Sequence, residues 1–426
     1  MSKLEERTNE ASAMQKDISD IAEQGGGRAT KVEQLIQQYC PDGVEYKYLG
    51  EFCEIKTGKG ITKKDSDENG NYPIISGGIT PMGYYHTFNR EGNTVTISRV
   101  GANAGLVSFI DKRFYLNDKC FSVIPSDDTN TKFLYYVLSA RENDIKGMQS
   151  EGGVPTINTQ KVGSIEIPVP PLPVQEEIVR ILDTFAELQA ELQAELQKRL
   201  QQYNYYRDNL LSFEGRTDVE WKKLGDIFDT ITDYTAAGSF KSLADNVKYL
   251  KVPDYAMLIR TTDIKSNFSK GDFIYISKSA YDYLWRVKLD KECIVLPNVG
   301  NCGEVYYIKP DDLPYENCAL APNAILVRSS IFNNRFLYYY LQVRAFQKQL
   351  SKITSPVGQS KFNKTELKKL NVPVPPLPVQ EEIVRILDRF NTLTTDITAG
   401  LPAEIEARRK QYEYYRDQLL AFKQKA

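Results

Sequence analysis

The sequence predicts an α+β chain: two mixed, strand-rich domains joined by two long helices that pair as an antiparallel coiled coil, with pseudo-twofold symmetry. Three observations carry this. The sixteen-residue string PVPPLPVQEEIVRILD stands at Pro168–Asp183 and again, letter for letter, at Pro373–Asp388, an identity too long for chance. Each copy runs into a stretch whose apolar residues recur at helical spacings. The blocks ahead of the copies hold short β-branched and aromatic runs separated by Gly and Asn turns.

Further pairs mark the same duplication: Val44–Phe52 with Val219–Ile227, Phe133–Tyr136 with Phe336–Tyr339, and Gln202–Phe213 with Gln411–Phe422. Between these markers the halves diverge. The predicted order is an N-terminal segment at 1–43, a first domain at 44–167, a first helix at 168–213, a second domain at 214–372 and a second helix at 373–426. The first thirty residues have no counterpart in the repeat and are read as a tail, an added helix or an appended remnant; Met1–Glu10 is too polar for a secretory signal.

In the domains, strands are expected around Tyr72–Ile75, Thr94–Ser98, Phe273–Ile276 and Cys293–Leu296, with short helices near Phe133–Ala140 and Phe336–Phe346. The helices open on Pro171 or Pro173, since proline in a first turn forfeits no hydrogen bond. The pairing stripe comprises Leu182, Phe185, Leu188, Leu192 and Leu196 in the first helix, and Leu387, Phe390, Leu393 and Ile397 in the second. Docking of each stripe on its own neighbouring domain is the alternative. The Pro-rich string reads as a rigid elbow, or else as a polyproline ligand. The first helix contains three AELQ units at Ala186–Gln197, all strong helix formers. The repeats are offset by 205 residues before this spacer and 209 after it, so the second spacer is four residues longer, about 6 Å of helix. It also holds Gly400-Leu401-Pro402, where a kink or interruption is expected.

The net charge of −2 looks unpromising for a nucleic-acid partner, but by segment it is uneven. Residues 218–372 carry +5, while the N-terminal segment and the first helix carry −3 each. The densest run is Arg344–Lys369, with seven cations (among them Lys352, Lys361 and Lys364) against Glu366; a smaller cluster holds Lys56, Lys59, Lys63 and Lys64. Such clusters suit phosphate binding, or else form solvated faces. Each domain also has a Gly-containing loop straight after a strand, Ser98–Gly105 and Pro297–Gly303.

The six cysteines show no C-x-x-C spacing and His86 is the single histidine, so neither a metal nor a disulfide is expected, and no cofactor. There is no Asn/Asp-Pro-Pro-aromatic, no Gly-x-Gly-x-x-Gly after a strand and no P-loop, so the chain is expected to be no enzyme. No apolar run is long enough for a membrane helix, and a cytoplasmic location is expected.

The two variable blocks, each closed by PPLPVQEEIV (Pro170–Val179, Pro375–Val384), together with Ser76-Gly77-Gly78, Ser98-Arg99-Val100-Gly101 with Gly105, and the Tyr-rich helix ends, resemble the specificity subunit of type I restriction–modification systems. The resemblance covers the chain after about residue 32. It implies two target recognition domains, each reading one half of an asymmetric bipartite site in double-stranded DNA. The helices would form a ruler setting the unread spacing and a platform for two methyltransferase subunits, with restriction/translocase subunits joining through the complex. The DNA contacts it suggests are Lys56, Lys59, Lys63, Lys64, Ser76, Arg99, Asn103 and Asn158 in the first domain, and Asn298, Asn301, Lys352, Ser355, Gln359, Lys361, Asn363 and Lys364 in the second. The second domain has Pro297-Asn298 where the first has Ser98-Arg99, so a contact by Arg99 does not transfer. A non-catalytic scaffold whose two domains bind proteins is the competing reading.

Overall fold

The computed structural model describes residues 31–150, 153–355, 359–395 and 400–425. The chain divides into two compact units, Met1–Glu195 with Ala403–Ala426, and Leu196–Pro402. The principal helices are α1 (Lys31–Tyr39), α2 (Thr131–Ala140), α3 (Leu172–Leu210), α4 (Phe240–Asn246), α5 (Asn334–Tyr340), α6 (Arg344–Ile353), α7 (Leu377–Thr395) and α8 (Leu401–Leu419). Among the described residues no helix is long and apolar enough to cross a membrane.

The first unit holds β1 (Tyr46–Tyr48), β2 (Cys53–Thr57), β3 (Tyr72–Ile75), β4 (Tyr84–Tyr85), β5 (Thr94–Ser98), β6 (Val107–Ile110), β7 (Tyr115–Leu116), β8 (Cys120–Pro125) and β9 (Glu166–Pro168). They form sheets of order β2-β8-β5-β6, β4-β3-β7 and β1-β9. The second unit holds β10 (Glu220–Lys223), β11 (Thr230–Asp233), β12 (Ala256–Ile259), β13 (Ile274–Ile276), β14 (Cys293–Pro297), β15 (Tyr306–Ile308), β16 (Cys318–Leu320), β17 (Ala324–Arg328) and β18 (Asn371–Val374). Their sheets are β11-β17-β14-β15, β13-β12-β16 and β10-β18. Every strand of one unit thus has its counterpart nine strands later, down to the parallel pairs β3·β7 and β12·β16. The central strands β5 and β14 are buried along their whole length. β14 (Cys-Ile-Val-Leu-Pro) reads as the continuous apolar run of a strand covered on both faces, whereas β5 buries the small hydroxyl side chains of Thr94, Thr96 and Ser98 alternating with Val95 and Ile97.

The repeated segments contact one another, and that explains which pieces of sequence recur. Asn130 and Asn333 cap α2 and α5 by accepting from two backbone N–H groups each. From α2, the Tyr136 hydroxyl donates to Asp183 Oδ1 (2.7 Å) and Lys132 Nζ reaches Asp183 Oδ2 (2.6 Å). From α5, the Tyr339 hydroxyl donates to Asp388, which also accepts from Arg335 Nε at 2.8 Å. Burial, then the carboxylate, raises the pKa of both phenols, so each stays a protonated donor. The Tyr-Tyr pair and the Asp closing the sixteen-residue string are two halves of one contact, made once in each unit.

The elbow ahead of each long helix is fastened by its own glutamine. Gln175 Nε2 donates back to Pro170 O (2.6 Å), and Gln380 Nε2 to Pro375 O (2.8 Å), both buried. Pro173 sits in the first turn of α3, a continuous helix of 39 residues. The second copy comprises two helices of 19 residues, α7 and α8, on either side of residues 396–399. Leu401 and Pro402 open α8, where proline costs no hydrogen bond.

Along the stripe Leu182, Phe185, Leu188, Leu192 and Leu387 are buried, Leu196 and Phe390 half-buried, and Leu393 exposed; Ile397 lies outside the described residues. In the first unit Phe185 stacks on Tyr415 (5.6 Å, 23°), and in the second Tyr206 stacks on Phe390 (5.5 Å, 25°). The C-terminal tail closes the first unit: Val44 N–H donates to Lys423 O (2.8 Å), Lys425 N–H to Val44 O (2.9 Å) and the Tyr46 hydroxyl to Phe422 O (3.0 Å).

Candidate nucleic-acid interface

In each unit the central strand leaves its sheet into a glycine turn: Arg99-Val100-Gly101 after β5, and Asn298-Val299-Gly300 after β14. Gly101 and Gly300 adopt φ of +99° and +85°, a region that side chains strain to reach. The same backbone bonds hold both turns. Arg99 N–H donates to Lys119 O (2.8 Å), Gly101 N–H to Pro155 O (2.9 Å) and Ile157 N–H to Arg99 O (2.9 Å). In the second unit Asn298 N–H donates to Asn323 O (3.1 Å), Gly300 N–H to Ser360 O (2.8 Å) and Phe362 N–H to Asn298 O (3.1 Å). One backbone frame therefore carries different side chains: Arg99 against Asn298, Thr156 against Lys361, and Lys119 against Asn323.

Around the first turn Asn103 Nδ2 donates to Gly77 O (3.0 Å), which brings the buried Ser76 and the Ser76-Gly77-Gly78 loop alongside. Arg99 Nη1 reaches Asp118 O (3.2 Å), its guanidinium lies 5.4 Å from the Phe121 ring, and its Nε is buried without a partner. Lys59 belongs to a strap bound to Leu116 O (2.9 Å) next to Asp118. Lys63 and Lys64 lie on the exposed helical turn Lys63–Asp65 that follows. Asn158 caps the turn Thr159–Gly163 through Lys161 N (2.9 Å). Lys56 does not join the group. It pairs with Glu54 (2.5 Å) and lines a cavity of about 850 Å³ with Arg90 and Thr94, at the opposite end of β5.

Around the second turn Asn301 and Lys361 are solvent-facing, Ser355 bridges to Lys361, and Gln359 stands over Gly300. Asn298 points inward, its Nδ2 donating to Phe362 O (3.2 Å) and its Oδ1 buried without a partner. Asn363 caps Lys364–Leu367 through Glu366 N (2.9 Å). Lys352 is exposed in the last turn of α6. The run Arg344–Lys369 is less free than its composition implies. Lys364 pairs with Asp233 at the end of β11 (2.9 Å), Arg344 lies 3.6 Å from Asp208, and Lys369 pairs with Glu366 (2.6 Å). Asp233 and Asp208 are more than a hundred positions away along the chain, so a segment count does not see them.

Sequence reasoning missed Lys119 and Asn323, which reach the turns through strand order alone. Ser76-Gly77-Gly78 follows β3, and the residues in the equivalent place after β12, the counterpart of β3, are Arg260-Thr261-Thr262. No local sequence signal links the two.

No constellation for a metal accompanies these loops: among the described residues no group of three His, Cys, Asp or Glu could hold an ion. Burial pushes the Cys53, Cys293 and Cys318 thiols up to about 12 and Cys120 to about 11, so they are protonated packing groups.

The type I restriction modification DNA specificity domain matches this chain twice, at residues 41–202 and 217–407. A type I specificity subunit of Mycoplasma pneumoniae is 32% identical over 351 residues, covering 79% of this chain and 96% of that protein. The EcoR124I/EcoR124II specificity subunit of Escherichia coli is 30% identical over 402 residues, covering 89% and 95%. The crystal structure of a type I restriction–modification S subunit from M. genitalium shares the fold, with a TM-score of 0.52 at 18% identity over 88% of this chain and 95% of that one. With two matched regions, each built on the same nine-strand plan, the chain belongs to the type I restriction modification DNA specificity domain family and carries that domain twice.

Proposed function

We propose that this chain is the DNA-reading subunit of a type I restriction–modification complex, and that each unit reads one half of a bipartite, asymmetric sequence in double-stranded DNA. The observation that carries the reading is the pair of turns: one backbone frame, fastened by the same hydrogen bonds, with unlike side chains at equivalent places. Readers of two different half-sites need that combination, because backbone geometry positions and side chains specify. The recognition domains are assigned to residues 44–167 and 214–372. Arg99, Asn103, Lys59, Lys63 and Lys64 face the first half-site, and Asn301, Gln359, Lys361 and Lys352 face the second.

Residues 168–213 and 373–426 act as the ruler, pairing as an antiparallel coiled coil; the Phe185–Tyr415 and Tyr206–Phe390 stacks support that pairing. A helix of 39 residues is about 58 Å long, a stiff element suited to setting a fixed spacing. The same helices dock two methyltransferase subunits, and restriction subunits join through them. The chain itself is non-catalytic and acts in the cytoplasm, with the chemistry supplied by its partners.

Methylome sequencing of a host expressing this chain with its methyltransferase partner tests the reading. A two-part, non-palindromic motif with a fixed gap is expected, and methylation that does not depend on this chain would refute it. A fourth AELQ unit inserted after Gln197 is expected to change the gap while leaving both half-sites intact; an unchanged gap would refute the ruler.

A further inference from the structure

Each unit has a large apolar side chain that stands almost free of the protein, and in each it stands beside the glycine turn. Ile79 is 82% exposed and Phe240 is 83% exposed. Ile79 lies on the loop that leaves β3, and the base of that loop is held against the turn after β5. Asn103 Nδ2 donates to Gly77 O at 3.0 Å, and a Cβ on Gly77 would come within 2.8 Å of Val100 O, so glycine alone permits this approach. Phe240 opens α4, in the segment between β11 and β12. With Leu243 and Tyr249 it lines a cavity of about 700 Å³ whose other wall is Asn298, Val299 and Asn323. The two residues come from unrelated elements of sequence, yet both arrive next to the same frame.

Single exposed apolar residues are ordinary on protein surfaces, and the surroundings decide the case here. Lys119 is exposed next to Gly77, and Lys241 and Lys248 are exposed on and just after α4. An apolar tip flanked by cations suits a duplex, where phosphates rim a groove whose floor presents thymine methyls and stacked base edges. Ile331 has comparable exposure, 79%, but follows the far end of β17, five residues or ~16 Å of strand away from Asn323. It supplies an internal control.

We propose that Ile79 and Phe240 are specificity contacts, each burying its apolar tip against the base pairs of its own half-site between phosphate contacts made by the neighbouring lysines. The proposal rests on the DNA-reading function above and adds two side chains to it.

The test uses Ile79→Ser, Phe240→Ser and Ile331→Ser in the full chain assembled with its methyltransferase. Binding is measured by fluorescence anisotropy to a duplex carrying both half-sites found by methylome sequencing, and to duplexes with one half-site scrambled. Ile79→Ser and Phe240→Ser are each expected to lose about tenfold on the intact target, the scale of one good base contact. Affinity for the duplex scrambled in that residue's own half-site, and the salt slope, should stay unchanged. Ile331→Ser should bind like the unmodified chain, and Ile79→Val and Phe240→Leu should retain affinity within about threefold. Target affinity unaltered by either serine variant, an equal loss on intact and scrambled duplexes, or an equal loss for Ile331→Ser would overturn the proposal. An unmodified complex that failed to distinguish intact from scrambled DNA would instead overturn the reading beneath it.

Discussion

Pro168–Asp183 and Pro373–Asp388 are the same sixteen residues in two surroundings. In the first copy Val174 is fully buried, and the Glu177 side chain, 5% exposed, accepts from Lys31 of α1 (2.8 Å) and from Arg180 (2.7 Å). In the second, Val379 is 37% exposed and Glu382 pairs with Arg385 beside it while remaining 55% exposed. The first unit has α1 in its core, with Val32 buried and Leu35 and Ile36 packed against the cluster, and nothing in the repeat corresponds to it. Identical sequence therefore secures the helix, the elbow and the Asp contact, and leaves the outward face to whatever the rest of the unit supplies.

The deepest positions are where the copies should behave alike. Leu182 and Leu387 are both fully buried, and replacing either with alanine should cost about 3 kcal/mol. Hydrogen-exchange protection of helix amides in each unit would read this; unequal losses would break the claim that the inner stripe is equivalent. The outer positions should separate. Val174→Ala is expected to cost about 2 kcal/mol and Val379→Ala less than ~0.5, and equal losses would show that α1 does not set the difference.

Glu177→Gln comes next, at about 1 kcal/mol, with no measurable change for Glu382→Gln. Burial disfavours the Glu177 carboxylate, but its bonds to Arg180 and Lys31 prevail and lower its pKa. Its stabilisation is thus fully present above the unfolded carboxylate pKa and is lost as pH falls through the lowered folded value. Acid titration of the wild type against Lys31→Ala should locate that loss in the first unit, and its absence would sink the assignment.

The smallest effect concerns the two turns. Lys361→Ala in the second should flatten the salt dependence of DNA binding by about 0.9 in log–log slope, whereas Thr156→Ala at the equivalent place in the first should leave the slope alone. An unchanged slope for Lys361→Ala would remove it from the phosphate contacts.

Much of this was legible in the chain. The duplication, the proline-opened helices, the central strands at Thr94–Ser98 and Cys293–Leu296 and the break near Pro402 all follow from residues close together in sequence. The candidate site was half legible. Arg99, Asn103, Asn301 and Lys361 do gather at the turns, yet Lys56 lies elsewhere, Lys364 is held by Asp233, and Asn298 turns inward. Lys56 is held by Glu54 two residues away, whereas Lys364 and Asn298 meet partners that are distant along the chain.

Two copies of a unit, their helical periods and their caps were determined by the sequence itself, because helix spacing and capping act over a few residues. The matching nine-strand order, the pairing of Tyr136 and Tyr339 with their aspartates, the arrival of Ile79 and Phe240 beside one frame and the unequal burial of two identical strings were decided only by the tertiary structure. Burial and ion pairing depend on groups that are distant along the chain and adjacent only once it has folded.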